Sequence, residues 1–275
     1  LVQEAGLKLT VILPSIRPEK WQEVYNSIEN AVKGRYDWEF LAIGPYPGTI
    51  EAKTGKFAFI GDHGSPCHCM QRGVLLAKGE FITWIADDAL FMENVLNREF
   101  NADAIFCKYV EGRPDPNDKR WEDPELAKIV PYCRGDVALN PDMVLDKSWK
   151  IDAHVKTKSR FIPGHWCILS LGIIKRDVLL EIGGWDTYLF EVTGMASPDL
   201  GIRLQRKCVN CILWPEIVQT LEYKTDNNRA GSKVVEAHVS NDEPNYARIY
   251  DDESCLTRTN IPINPSDYWP SVWKR

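Results

Sequence analysis

Apolar positions along this chain follow two alternating rhythms, solid short runs and helical stripes. Residues 9–13 form a run broken only by Thr10 and stopped by Pro14, the pattern of a buried strand. From Pro18 a helix is expected, with Trp21, Val24, Tyr25, Ile28 and Val32 on one face and Gly34 closing it. Residues 39–43 read as a second strand, ended by the Gly-Pro-Tyr-Pro-Gly of 44–48, and residues 56–60 as a third. Ser65-Pro66 supplies an N-cap followed by proline at the first helical position. Cys67, Met70, Val74 and Ala77 then recur at helical spacing, and Lys78-Gly79 is a stop. Residues 81–86 are a nearly continuous apolar strand that ends in Asp87-Asp88.

Strands alternating with helices predict an α/β fold: a Rossmann-type mixed, mostly parallel sheet flanked by helices. Ligands of such sheets bind beyond the carboxyl ends of the strands, the edge that gathers Pro14, Ser15, Gly44, Asp62, Asp87 and Asp88. After residue 100 the alternation fades. Residues 102–110 suit another strand, and 111–160 are charged and proline-containing, with a short helix expected near 124–129, as in a lid or acceptor-binding loop. Residues 164–171 turn apolar again, and a helix over 175–182 stops at Gly183-Gly184. A second Ser-Pro start, Ser197-Pro198, opens a helix through Lys207, and 208–218 follow as a strand. From residue 225 the chain is polar, with Tyr268, Trp269 and Trp273 late in it, and reads as a tail wrapping the domain. No internal repeat is visible.

Composition narrows the function classes. The chain has 275 residues, 44% hydrophobic and 26% charged, enough for a sizeable core and unlike a disordered protein. Its net charge of −6 gives no electrostatic reason for nonspecific nucleic-acid binding. No apolar run reaches the roughly 18 residues of a membrane span. The first residues lack the order of a signal peptide, and no initiator Met precedes them. Most of the eight Cys sit inside apolar runs, as in reducing compartments, so a cytoplasmic location is expected. Cys67-His68-Cys69 and the Cys208–Cys211 pair invite a zinc reading, but without paired finger spacing packing is the better account. Ten Trp are suggestive of carbohydrate or base stacking, although cores use Trp as well.

Three stretches in order resemble the family 2 glycosyltransferases of the GT-A fold. They are Val11-Ile12-Leu13-Pro14-Ser15-Ile16-Arg17; the segment from Arg72 through Ala77-Lys78-Gly79-Glu80-Phe81-Ile82 to Asp87-Asp88; and Gly183-Gly184-Trp185-Asp186 followed by Asp199-Leu200-Gly201-Ile202-Arg203. Two positions depart from the family pattern. Gly44-Pro45 stands where an Asp usually contacts the nucleobase, and Ala86 stands where the first acid of the D-x-D motif is common.

The resemblance implies an inverting, metal-dependent transferase that moves a sugar from a nucleotide-diphosphate donor to a glycan, lipid-linked or other hydroxyl acceptor. Residues 1–100 would form the nucleotide-sugar-binding half, 101–224 the acceptor-binding and catalytic half, and 225–275 a C-terminal extension. Mn2+ or Mg2+ would sit on hard oxygen ligands, with Asp88 ligating directly, Asp87 beside it and His238 as a further ligand from the tail. Pro14, Ser15, Arg17, Gly44, Asp62, Arg72 and Asp87 would face the donor. His165, Trp166, Gly184, Trp185 and Asp186 would face the acceptor. Asp199, placed by the Ser-Pro start in a first helical turn, would be the base, with Glu191 as runner-up, because Ala196 and Ser197 occupy the family's acidic pair. The plainer readings are a solvated turn for Asp87-Asp88, a helix-stabilising acid for Asp199 and a core ring for Trp185. The competing functions are a degenerate member that binds nucleotide or glycan without transfer, and a nucleotidyltransferase. The latter would carry a Gly-rich loop after the first strand, which Pro14-Ser15-Ile16-Arg17 is not.

Overall fold

The computed structural model describes residues 6–110, 171–191, 193–207, 210–220 and 260–271. The expected loop at 111–160, its short helix, most of the 164–171 stretch, and His165, Trp166 and His238 lie outside the described residues.

The first half follows its hydrophobic pattern. Strand β1 (Leu9–Pro14) leads through a short turn of 3-10 helix at Pro18–Lys20 into helix α1 (Trp21–Val32), and Trp21, Val24, Tyr25, Ile28 and Val32 are all buried. The helix ends on left-handed Lys33, with φ of 51°, one residue before the expected Gly34. Strands β2 (Trp38–Gly44) and β3 (Lys56–Gly61) precede α2 (Pro66–Leu76), whose cap is the expected one: the Ser65 side chain accepts from the His68 N–H. Strand β4 (Phe81–Trp84) then ends two residues earlier than its apolar run, although Ile85 N–H still donates to Ile12 O at 3.0 Å. Asp87-Asp88 form a turn into a short strand, β5 (Ala89–Phe91), that the sequence pattern does not signal.

Strands β6 (Ala104–Val110) and β7 (Leu171–Lys175), helices α3 (Arg176–Glu181) and α4 (Thr193–Lys207), and strand β8 (Cys211–Thr220) complete the main elements. One sheet runs in the order β3-β2-β1-β4-β7-β6-β8-β5. The β3-β2-β1-β4 half is parallel; β7 is antiparallel to both β4 and β6, β6 pairs β8 in parallel, and β5 closes the edge antiparallel to β8. The ladder between β6 and β8 skips Pro215, since Cys107 faces Trp214 and Lys108 faces Glu216. A proline has no N–H for a ladder, and a bulge absorbs it.

Period-2 alternation sends Leu9, Val11 and Leu13 into one core with α1, and Ile12 into a second core with Met70, Val74, Leu179 and Leu200. The sheet is therefore covered on both faces, as its apolar strands require. One boundary is corrected. Helix α4 begins at Thr193, so Ser197 is not its cap; its hydroxyl donates to the Thr193 carbonyl at 2.7 Å inside the helix. Asp199 accordingly lies in the second turn, and the first-turn dipole argument for it falls away.

Candidate functional site

Strand order reverses around β1, which has β2 on one side and β4 on the other. The crevice beyond the carboxyl ends of β1 and β4 is the place where doubly wound sheets bind ligands. Ser15 follows β1 and Asp87 follows β4, and the Ser15 hydroxyl donates to Asp87 Oδ2 at 2.6 Å across that crevice. The same hydroxyl accepts from Arg17 N–H and from Trp21 Nε1, both at 3.0 Å. Arg17 closes the network by pairing its guanidinium with Asp87 Oδ1. Asp88 is the next residue of the Ala86–Ala89 turn and is partly exposed. The Asp87 carboxylate is thus engaged on both oxygens, and these bonds fix the turn that carries Asp88. The donor set there is hard oxygen, which fits Mg2+ or Mn2+ rather than a thiophilic metal.

Gly44 ends β2 against this network. A Cβ on it would lie 1.9 Å from the Ser15 carbonyl oxygen, so the close approach of the β1 and β2 ends accounts for glycine at this position. Asp62, just past β3, is fully buried; its N–H donates to Gly44 O at 2.9 Å. Its Oδ2 accepts from Arg72 Nη1 at 2.7 Å, and its Oδ1 from the N–H groups of Gly64 at 2.7 Å and Ser271 at 3.2 Å. Burial pushes the Asp62 carboxyl up, but the bonds from His68, Arg72 and Gly64 outweigh it and hold the group below its ordinary value. Asp62, His68 and Cys69 place metal-capable atoms within 4.8 Å of one another. Hydrogen bonds already occupy them, however: Cys69 donates to Gly64 O, and burial pushes its thiol well up, so the packing reading of this stretch stands over zinc.

The acceptor-side motif folds into a second, closed network. Gly183 and Gly184 take φ of 90° and 69°, left-handed values that suit glycine. Gln71, fully buried on α2, donates to Gly183 O at 2.9 Å and accepts from Trp185 N–H at 2.7 Å. Arg203 donates to Ile182 O and Gly184 O, each at 2.7 Å, and to Asp199 Oδ2 through Nε at 3.0 Å. Arg203 and Asp199 side chains are 0% and 2% exposed, an ion pair wholly inside the protein. Asp186 is buried too, accepting from Tyr188 and Leu189 N–H at 3.0 and 3.2 Å. Trp185 is 1% exposed and meets Trp84 edge-on at 5.2 Å, so its ring belongs to the core and is not an open platform for a sugar. Glu191 is partly exposed ahead of α4, and its carbonyl accepts from Cys67 N–H at 2.8 Å, an amide at the start of α2.

The structure therefore brings Ser15, Arg17, Asp87 and Asp88 together, sets Gly44, Asp62 and Arg72 beside them, and puts Gly184, Trp185, Asp186 and Asp199 in packed interior. Pro14 is the last residue of β1. Gln71, Asp267 and Ser271 carry no site signal in the sequence, and His68 enters there only through the zinc reading of Cys67-His68-Cys69. For Gln71 a packing signal existed: it shares the helical spacing of Cys67 and Val74, so a polar side chain on that stripe had to find buried partners.

No protein-family model and no curated protein sequence matches the chain. Solved structures are similar to it at low identity. TarS from S. aureus is 13% identical at a TM-score of 0.47, and the alignment covers 78% of this chain and 37% of TarS. The mannosyltransferase PcManGT from Pyrobaculum calidifontis, solved with GDP-Man and Mn2+, is 14% identical at a TM-score of 0.49, with 88% and 64% covered. Glucosyl-3-phosphoglycerate synthase from Mycobacterium tuberculosis, solved with phosphoglyceric acid, is 12% identical at 0.43, with 87% and 81% covered. Identities this low leave the roles of side chains to the chemistry of this chain.

Proposed function

We propose that the chain is a metal-dependent glycosyltransferase of GT-A type that uses a nucleotide-diphosphate sugar. The observation that carries the reading is the Ser15–Arg17–Asp87 network closed across β1 and β4 beside Asp88, at the point where strand order reverses. Asp88, oriented by the turn that Asp87 anchors, would hold Mn2+ or Mg2+. When bound, the ion neutralises charge growing on the diphosphate leaving group. Arg17 and Arg72 lie near the same edge, and Asp62, buried and accepting from Arg72, Gly64 and Ser271, would address a donor only by giving up one of these bonds.

Inverting transfer joins the acceptor oxygen to the anomeric carbon, breaks the bond from that carbon to the phosphate oxygen, and hands the acceptor proton to a base. Asp199 commits its carboxylate to Arg203 in the interior, which weighs against it as the group that takes an acceptor proton. Glu191, partly exposed and outside that ion pair, is therefore the better base, which reverses the order expected from sequence.

The test is release of nucleoside diphosphate from a panel of sugar donors with Mn2+ and mixed glycan acceptors. Asp88→Ala is expected to lose turnover, and Glu191→Gln to lose transfer with donor binding intact. Asp199→Asn is expected to lower stability first. Full turnover by Asp88→Ala would sink the reading, and full turnover by Glu191→Gln would place the base elsewhere. One observation favours a second reading, a protein that binds the donor without transfer: Ala196 and Ser197, at the family's acidic pair, are both buried. Such a protein would bind nucleotide sugar but release no nucleoside diphosphate at any metal concentration.

A further inference from the structure

His68 lies between groups from distant parts of the chain. It sits in the first turn of α2, where Ser65 caps its N–H, and its ring is mostly buried. Nδ1 is 3.4 Å from Asp62 Oδ1 at the end of β3, and Nε2 is 3.7 Å from Asp267 Oδ1 in the 260–271 segment. The Ser271 hydroxyl stands 3.4 Å from both ring nitrogens.

That segment is tied at one end to the turn after α3 and at the other to the residues just past β3. Ile261 N–H donates to Ile182 O at 3.1 Å, and His63 N–H donates to Ser271 O at 3.3 Å. Between these, Asp267 sits in a short turn of 3-10 helix, Pro265–Tyr268, started by the Asn264 side chain. The buried Asp267 carboxylate accepts from Thr187 Oγ1 at 2.8 and 3.1 Å. A neutral imidazole has one N–H, so with a carboxylate beside each nitrogen one lone pair must face a carboxylate oxygen. Only the imidazolium sets a positive charge and an N–H toward both carboxylates.

We propose that His68 is a proton-operated clasp: charged, it ties Asp62 to Asp267 and holds segment 260–271 over the donor edge; neutral, it releases one of the two. The charged groups around it are Asp62 just past β3, Asp267 on the segment, Arg72 acting through Asp62, and Asp186 acting on Asp267; the Ser266 backbone also bonds the ring, and the Cys69 thiol is its neighbour. Their directions agree with the geometry. The hydrogen bond to Asp62 raises His68 above its ordinary 6.5 against an opposing effect of burial, and the charges of Asp62 and Asp267 add to the rise. Clasp stability is then full below about 6.5 and is lost as pH rises through the raised value. Burial raises Asp267 against the bonds from Thr187, so in acid that carboxylate takes up a proton first and loosens the clasp from the other side. Asp62, held below its ordinary value, stays ionised across the window.

The consequence for donor binding rests on the donor-site reading above. While the clasp is shut, Asp62 accepts from Arg72, Gly64 and Ser271, so a donor group addressing Oδ1 must displace the Ser271 N–H. Shut, the segment opposes the donor; open, it yields Asp62.

The experiment is backbone hydrogen exchange of the full chain between pH 5.5 and 8.5, corrected for intrinsic rates, with β1 and β2 amides as reference. Protection of the 261–271 amides is expected to fall as His68 titrates, by up to roughly tenfold for each unit by which its pKa is raised. His68→Gln and Asp267→Asn should each flatten the dependence, and the second keeps the test open if the first misfolds. Protection that is flat with pH in the wild type, or equally steep in both variants, overturns the clasp. Calorimetry with UDP or GDP and Mn2+ separates the two ideas. Titrating exchange with no nucleotide binding upholds the clasp and removes the donor reading, whereas nucleotide binding with flat exchange removes the clasp alone.

Discussion

Two of this molecule's arginine–aspartate pairs, one at the crevice and one in the interior, do opposite work. Arg17–Asp87 lies at the crevice with side chains 14% and 11% exposed, while Arg203–Asp199 is 0% and 2% exposed. At the crevice, the carboxylate is shared with a serine hydroxyl, stands next to a second acid and keeps partial access to water. In the interior, the arginine also holds two carbonyls of the Gly-Gly turn, and any rearrangement would strand buried charge. The difference shows that an acid in a family-like motif is assigned by its partners and its access to water, not by its place in the motif.

The comparison breaks most visibly if the interior arginine is removed. Arg203→Met should cost about 3–5 kcal/mol of unfolding free energy, because Asp199 is left as a buried charge. Urea titration checks this, and adding Asp199→Leu should recover much of the loss. At the crevice the effect should fall on activity instead. Chelating the metal, or replacing Asp88 by Ala, should lower turnover by on the order of 10²–10³-fold, by analogy with the loss of one preorganised charge-stabilising contact. The unfolding midpoint should hardly move, and Mn2+ should restore only the chelated sample.

Gly184→Ala tests the turn that joins the two regions. Its left-handed φ and the 2.1 Å approach of a Cβ to Gln71 Oε1 should together cost roughly 1–3 kcal/mol, read by thermal unfolding. Ser15→Ala sharpens the crevice side with the smallest effect. Loss of the bond to Asp87 and of the acceptor for Trp21 Nε1 should cost about 1 kcal/mol and weaken donor binding roughly fivefold.

The parallel half of the fold was legible in the sequence because its information is local. Trp21, Val24, Tyr25, Ile28 and Val32 mark one helix face, Ser65-Pro66 caps a helix, and Gly183-Gly184 take the left-handed turn their composition suits. The crevice pair was legible too, since a buried strand that ends in two acids places them at the binding edge. Helix α4 starts elsewhere than expected because Ser197-Pro198 is a start signal in isolation, whereas the helix already runs from Thr193 and buries Ala196. The roles of Asp199 and Trp185 depended on burial, which the order of motifs does not encode. Least legible was the junction at Asp62, whose Oδ1 meets an N–H 209 positions away in the chain. No periodicity reports a contact of that separation, and β5 against β8 is of the same kind.

The most direct measurement is a thermal-shift panel of UDP-, GDP-, CDP- and dTDP-sugars, with and without Mn2+, on the wild type and Asp88→Ala. A donor at 100 times its Kd should raise the melting temperature by roughly 5–10 °C, since it stabilises only the folded state. The account predicts that one nucleotide class does so only with Mn2+, and that Asp88→Ala abolishes the shift. An equal shift without metal, or one that survives in Asp88→Ala, would contradict it.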